Sequence, residues 1–125
     1  MSWKHPKTKK ERYQLSLMLW YDITTNALIR KHQSKYWNYI EEMLDWCPLC
    51  EQYRSIESFL CEGCPINKTF GKCTNIYGHP FTRWKHSDMS DSNRIINASK
   101  IFLCIRKAYE KMFKEKFDCE KEYRK

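Results

Sequence analysis

Residues 11–23 read Glu-Arg-Tyr-Gln-Leu-Ser-Leu-Met-Leu-Trp-Tyr-Asp-Ile, and two periods compete over them. Tyr13, Leu15, Leu17, Leu19, Tyr21 and Ile23 alternate, as in a half-buried strand. Leu15, Met18, Leu19, Asp22 and Ile23 follow helical spacing instead, and Glu, Arg, Gln, Leu and Met are good helix formers. The helical reading is preferred, from Glu11 to about Asn26, and it makes the chain a mainly α protein.

The flanks extend that reading. A second amphipathic stretch runs from about Ser34 to Asp45, with Tyr36, Trp37, Tyr39, Ile40, Met43 and Leu44 on or near one face. Further on, Ile95, Ala98, Phe102, Ile105, Tyr109, Met112 or Phe113, and Phe117 form a sustained helical stripe. Ser87 to Asp91 offers several N-caps for it. A long C-terminal helix is therefore expected over 91–118, with the charged tail 116–125 fraying. Residues 1–10 read as a basic arm, since His5-Pro6 disfavours helix. The expected layout is a single small helical domain: arm 1–10, N-terminal helices 11–45, a loop region 46–88, then the C-terminal helix. Loops are expected in 46–88 because it holds five of the seven cysteines, all three glycines and three of the four prolines.

Composition excludes several classes of function. Three glycines are too few for a Gly-rich phosphate loop or a dinucleotide fingerprint. No apolar run reaches the roughly 18 residues of a membrane span, so no membrane role is expected. The basic run Lys4–Arg12 and the apolar run Leu15–Tyr21 together resemble a signal peptide, but Ser16 interrupts the apolar run, Asp22 closes it and no cleavage site follows. A cytoplasmic setting is expected, and Asn67-Lys68-Thr69 and Asn97-Ala98-Ser99 are then chance glycosylation matches. In a reducing compartment an odd count of seven cysteines points away from disulfides and towards metal.

Cys47-Pro-Leu-Cys50 and Cys61-Glu-Gly-Cys64 place four thiols in two short turns. Four thiolates at about 2.3 Å make a closed tetrahedral zinc site that staples loops. The expected ligands of one structural Zn²⁺ are Cys47, Cys50, Cys61 and Cys64, with Cys73 and His79 as alternates. An iron–sulfur cluster is the minor alternative, since Cys64-Pro65 is like the ending of some cluster-binding runs. Cys104 reads as an ordinary buried thiol within the last helix, and Cys119 has no role.

Trp20, Cys47-x-x-Cys50-Glu51-x-Tyr53, Cys61-x-x-Cys64-Pro65-Ile66, Gly71-x-Cys73 and Pro80-Phe81-x-x-Trp84 occur in that order. This pattern resembles a family of small phage and prophage Cys-rich zinc-binding proteins, over roughly residues 15–110. The resemblance implies a metal site and a setting inside a host bacterial cell. It also implies kinship with type II anti-CRISPR proteins, which inhibit Cas9.

Catalysis is not expected. There is no H-E-x-x-H motif, no deaminase motif, and the four histidines are scattered. A zinc held by four thiolates has no position open to water. Binding remains, and charge suggests two modes. The chain carries a net +8, yet residues 41–64 carry −5. Glu41, Glu42, Asp45, Glu51, Glu57 and Glu62 of that segment could face a basic protein that normally contacts nucleic acid. With the resemblance, this makes the first expectation an inhibitor that binds a host defence protein, such as the Cas9 ribonucleoprotein. The second is a direct nucleic-acid-binding accessory protein or regulator, its basic flanks following phosphates and Trp3, Tyr77 and Trp84 stacking on bases.

Overall fold

A computed structural model of the chain describes residues 8–28, 30–43, 47–53, 63–70, 80–85 and 93–125, the side chains of residues 50, 51 and 82 excepted. Over these residues the protein is 76% helical with no strand, as a mainly α fold requires. The helices are α1 (Lys9–Thr25), α2 (Trp37–Ile40), α3 (Pro48–Tyr53), α4 (Pro65–Phe70), α5 (Pro80–Lys85), α6 (Asn93–Phe113) and α7 (Cys119–Tyr123).

Helix α1 starts where a capping box starts it. The Glu11 amide donates to Thr8 Oγ1 at 3.1 Å, and the Thr8 amide donates to Glu11 Oε1 at 3.2 Å. Lys9 and Lys10 are thus helical rather than part of a basic arm, while residues 1–7 lie outside the described residues. The helix stops at Asn26, whose amide donates to the Asp22 carbonyl. Ala27 then takes φ 53°, and the Leu28 amide closes back on the Ile23 carbonyl at 3.0 Å.

The competing periods of residues 11–23 have a simple cause. Tyr13 to Trp20 are all buried, and so are Asp22 and Ile23. A helix enclosed on every side needs apolar residues all round, so no single stripe is selected. Helices α3, α5, α6 and α7 all pack directly on α1. Ala98, Ile101, Ile105 and Tyr109 supply the buried face of α6. On α5, the Trp84 ring meets the Trp20 ring edge-on at 5.0 Å, and its indole N–H donates to the Leu28 carbonyl at 2.9 Å. Buried Lys31 lays its ammonium 4.8 Å over the Phe81 ring and 5.8 Å over Trp20.

Other expectations change as well. Instead of one helix from Ser34 to Asp45, a 3-10 turn at Lys31–Gln33 precedes the four-residue α2, and residues 44–46 lie outside the described residues. Asp22 pins the start of the stretch as a turn: its carboxylate accepts from Ser34 Oγ at 2.7 Å and from the Lys35 amide at 2.9 Å, while Ser34 Oγ accepts from the Tyr36 amide at 3.1 Å. Bonds between residues three apart, from the Tyr39 amide to the Tyr36 carbonyl and from the Met43 amide to the Ile40 carbonyl, then stand where a longer helix would bond residues four apart.

The C-terminal tail does not fray either. Helix α6 ends at Phe113, short of residue 118, and Lys114 at φ 52° turns the chain. The last helix α7 is capped by Asp118, buries Cys119 and brings Tyr123 back to α1. Tyr123 Oη donates to Asp22 Oδ1 at 3.2 Å and accepts from Asn26 Nδ2 at 3.0 Å. Lys35 Nζ donates to the Tyr123 carbonyl at 2.5 Å. Lys10 of α1 pairs with Glu115 just beyond α6.

Asp22 therefore gathers α1, the 34–36 turn and α7 around one buried carboxylate. Asp22→Ala leaves those donors without their acceptor and should cost about 2–4 kcal/mol. Urea denaturation should show a lower midpoint at unchanged m-value, with Asp22→Asn, which keeps one acceptor oxygen, falling between.

Candidate functional site

The two cysteine turns share a local design. In each, a cysteine stands immediately before a proline that opens a short helix: Cys47 before Pro48 of α3, and Cys64 before Pro65 of α4. Proline suits the first helical position, where no amide partner is needed. Helix α3 is held on α1 by fully buried Leu49, by a 2.6 Å bond from Arg12 to Gln52 Oε1, and by Tyr53. The Tyr53 hydroxyl lies 2.5 Å from the Tyr13 hydroxyl, and the two rings meet edge-on.

Tyr53 also reaches the second turn. Gly63 has φ 86°, and a β-carbon there would sit 3.3 Å from the Tyr53 ring. Both the left-handed backbone and the close ring favour glycine. This contact seats the Cys64 turn against α3, the helix whose first turn carries Cys50. Cys64 is 3% exposed, and its carbonyl accepts from the Lys68 amide at 2.9 Å.

Cys104 turns out to be a neighbour of this turn. Its sulfur on α6 lies 3.4 Å from both the Pro65 carbonyl and Thr69 Oγ1. The Tyr13 phenol senses the same surroundings: burial first, then the bond with Tyr53, push it well above the usual tyrosine range, with Cys64 and Cys104 adding to the effect. Spacing along the chain has no signal for this, because the approach of Cys104 to Pro65 is created by packing of α6 on α4.

The other expected ligands have no described geometry. Cys61, Cys73 and His79 lie outside the described residues, as does the side chain of Cys50. Among the described residues, no group of three His, Cys, Asp or Glu side chains is placed to hold a metal ion. Of the acidic set, Glu41 and Glu42 are exposed beside each other after α2. Asp45, Glu57 and Glu62 and the side chain of Glu51 are outside the described residues.

A second feature was not singled out from the sequence. The exposed residues of α5 and α6 include Arg83, Lys85, Lys100, Arg106, Lys107 and Lys111, interspersed with Ile95, Ile96, Leu103 and Met112. Among the described residues of these helices there is no exposed carboxylate, Glu110 being half-buried. The signal was present in residues 93–113 as a helix whose exposed charged positions are all Lys or Arg. It was diluted in the sum for residues 89–125, because α7 and its approach carry four acids.

No family pattern, characterised protein or solved structure matches the chain.

Burial raises the Cys104 thiol and pushes Cys119 up to about 12, and Tyr13 and Tyr36 are raised for the same first reason. A raised acid is held neutral by the fold. The associated stability is complete below the unfolded values, about 8.5 for thiols and 10 for phenols, and is lost as pH climbs towards the folded ones. Stability by urea denaturation should thus hold flat from pH 7 to about 8.5 and fall steadily to pH 11. Cys119 should resist alkylation at pH 8 until the protein unfolds.

Proposed function

We propose that this chain is a binding protein rather than an enzyme, and that it contacts nucleic acid. The observation that carries the proposal is the face of α5 and α6, where six exposed cations stand without an exposed carboxylate among the described residues. Such a face neutralises phosphates and releases their counterions, whatever the base sequence. It rides on a rigid base: Trp84 pins α5, and the Ala98, Ile101, Ile105 and Tyr109 face pins α6. The isolated apolar groups Ile96 and Leu103 suit sugars and base edges between phosphates.

One structural zinc belongs to the same proposal. Cys47, Cys50, Cys61 and Cys64 would hold it, with Cys73 and His79 as alternates. Supporting this are the paired Cys-Pro helix starts, the left-handed Gly63 and its contact with Tyr53. Soft thiol donors suit zinc, and burial of Cys64 fits a sulfur whose charge a metal offsets. Bound there, the ion contributes folding free energy to the central region and activates no water. Protein purified without added metal should contain about one zinc per chain by elemental analysis. Cys47→Ser or Cys64→Ser should lose it; protein without zinc or iron would remove this part of the proposal.

The second reading is the phage-type inhibitor of a host defence complex such as Cas9, working by protein–protein contact inside the host cell. Exposed Glu41 and Glu42 favour it, as two carboxylates of the acidic segment that face solvent. Titration of labelled duplex and single-stranded DNA at 50 and 200 mM salt separates the two. Micromolar binding that weakens at least tenfold over that range is the expected result. No detectable DNA binding, with a stable complex on a Cas9 ribonucleoprotein, would replace the first reading by the second.

A further inference from the structure

Helices α5 and α6 meet at a polar cleft of about 350 Å³, lined by Arg83, Asn93, Ile96, Asn97 and Lys100. Two cations from different helices thus line one concavity. Asn97 is 5% exposed although it lines the cleft, and its amide donates to the Asn93 carbonyl one turn back at 3.0 Å. That bond fixes the carboxamide within the wall. The α5 backbone that carries Arg83 is anchored by the neighbouring Trp84, which is held by the Leu28 carbonyl and the Trp20 ring.

We infer that this cleft seats one sugar–phosphate unit of a nucleic-acid strand. Arg83 and Lys100 take the phosphate oxygens, the Asn93 and Asn97 amides edge the sugar, and Ile96 covers its apolar face. The charge balance suits a phosphate, whose oxygens are shared between the two cations. The volume suits a group larger than a carboxylate, since small-molecule clefts begin at about 300 Å³. Two cations on the rim of one concavity can also act on the same phosphate, which an open row of lysines does not ensure. The inference rests on the nucleic-acid reading and adds a defined seat to what would otherwise be a diffuse cationic surface.

The test compares two charge-matched double variants of the full chain. Arg83→Gln with Lys100→Gln empties the cleft of charge; Lys107→Gln with Lys111→Gln removes the same charge from the open surface. All four side chains are exposed, so circular dichroism should show the fold unchanged. Labelled duplex DNA is titrated at several salt concentrations. The cleft variant should bind at least tenfold more weakly than the surface variant. Its salt slope should drop by about 0.9, the value for one phosphate neutralised. Equal losses in the two variants would overturn the cleft while leaving the nucleic-acid reading intact. Absence of DNA binding by the unaltered protein would sink both. Poly-glutamate competing as well as an oligonucleotide of equal charge would also overturn it, by making the seat one for carboxylates.

Discussion

A helix with no solvent face has to be enclosed, and that constraint organises this protein. Helix α1 buries eight consecutive residues from Tyr13 to Trp20. Each added element answers one side of it: α3 through Leu49 and Tyr53, α5 through Trp84, α6 through its Ile and Tyr stripe, α7 through Tyr123. Burial alone would leave the angles of these elements free to slide, since apolar contact has no direction. Asp22 supplies the direction at one end. Its two oxygens receive bonds from three separate parts of the chain, and a buried carboxylate satisfied in this way tolerates one arrangement far better than its neighbours.

How much of this was readable follows from the kind of signal each element carries. The C-terminal helix has one buried face, so its period is visible, and only its end was misjudged. What ended it early was Lys114 in a left-handed conformation, a position that glycine usually marks. Helix α1 was ambiguous for the opposite reason, because total burial erases the stripe that periodicity detects. The Ser34–Asp45 stretch had good amphipathic spacing, but a turn pinned by Asp22 and bonds between residues three apart cut it to the four residues of α2. Charged residues 118–125 looked like a solvated tail, yet one cysteine and one tyrosine suffice to dock them. The Cys-x-x-Cys pattern was plain in the sequence, whereas the proximity of Cys104 to Pro65 arises only from tertiary packing.

The division of labour between the two candidate surfaces follows from their chemistry. The cysteine turns lie against Tyr53 and Tyr13, in surroundings that disfavour charge on the Tyr13 phenol. Such surroundings suit a permanent structural element. The α5–α6 face has the opposite character, with cations in solvent on helices whose inner sides are locked into the core. Long-range attraction is useful there, and so is the rigidity of the scaffold that presents it.

Enclosure of α1 by the end of the chain has a consequence for how the protein is made. Gln14 waits for Tyr109, ninety-five positions later, and Asp22 waits for Tyr123, one hundred and one positions later. At elongation rates of about 5–20 residues per second, the apolar surface of α1 stays uncovered for roughly 5–20 s during synthesis. The partners that cover it on α3, α6 and α7 all lie far along the chain, so its burial rests on long-range contacts. Helix α1 thus leaves the ribosome before the helices that enclose it, and its apolar surface is finished only when α6 and α7 have followed.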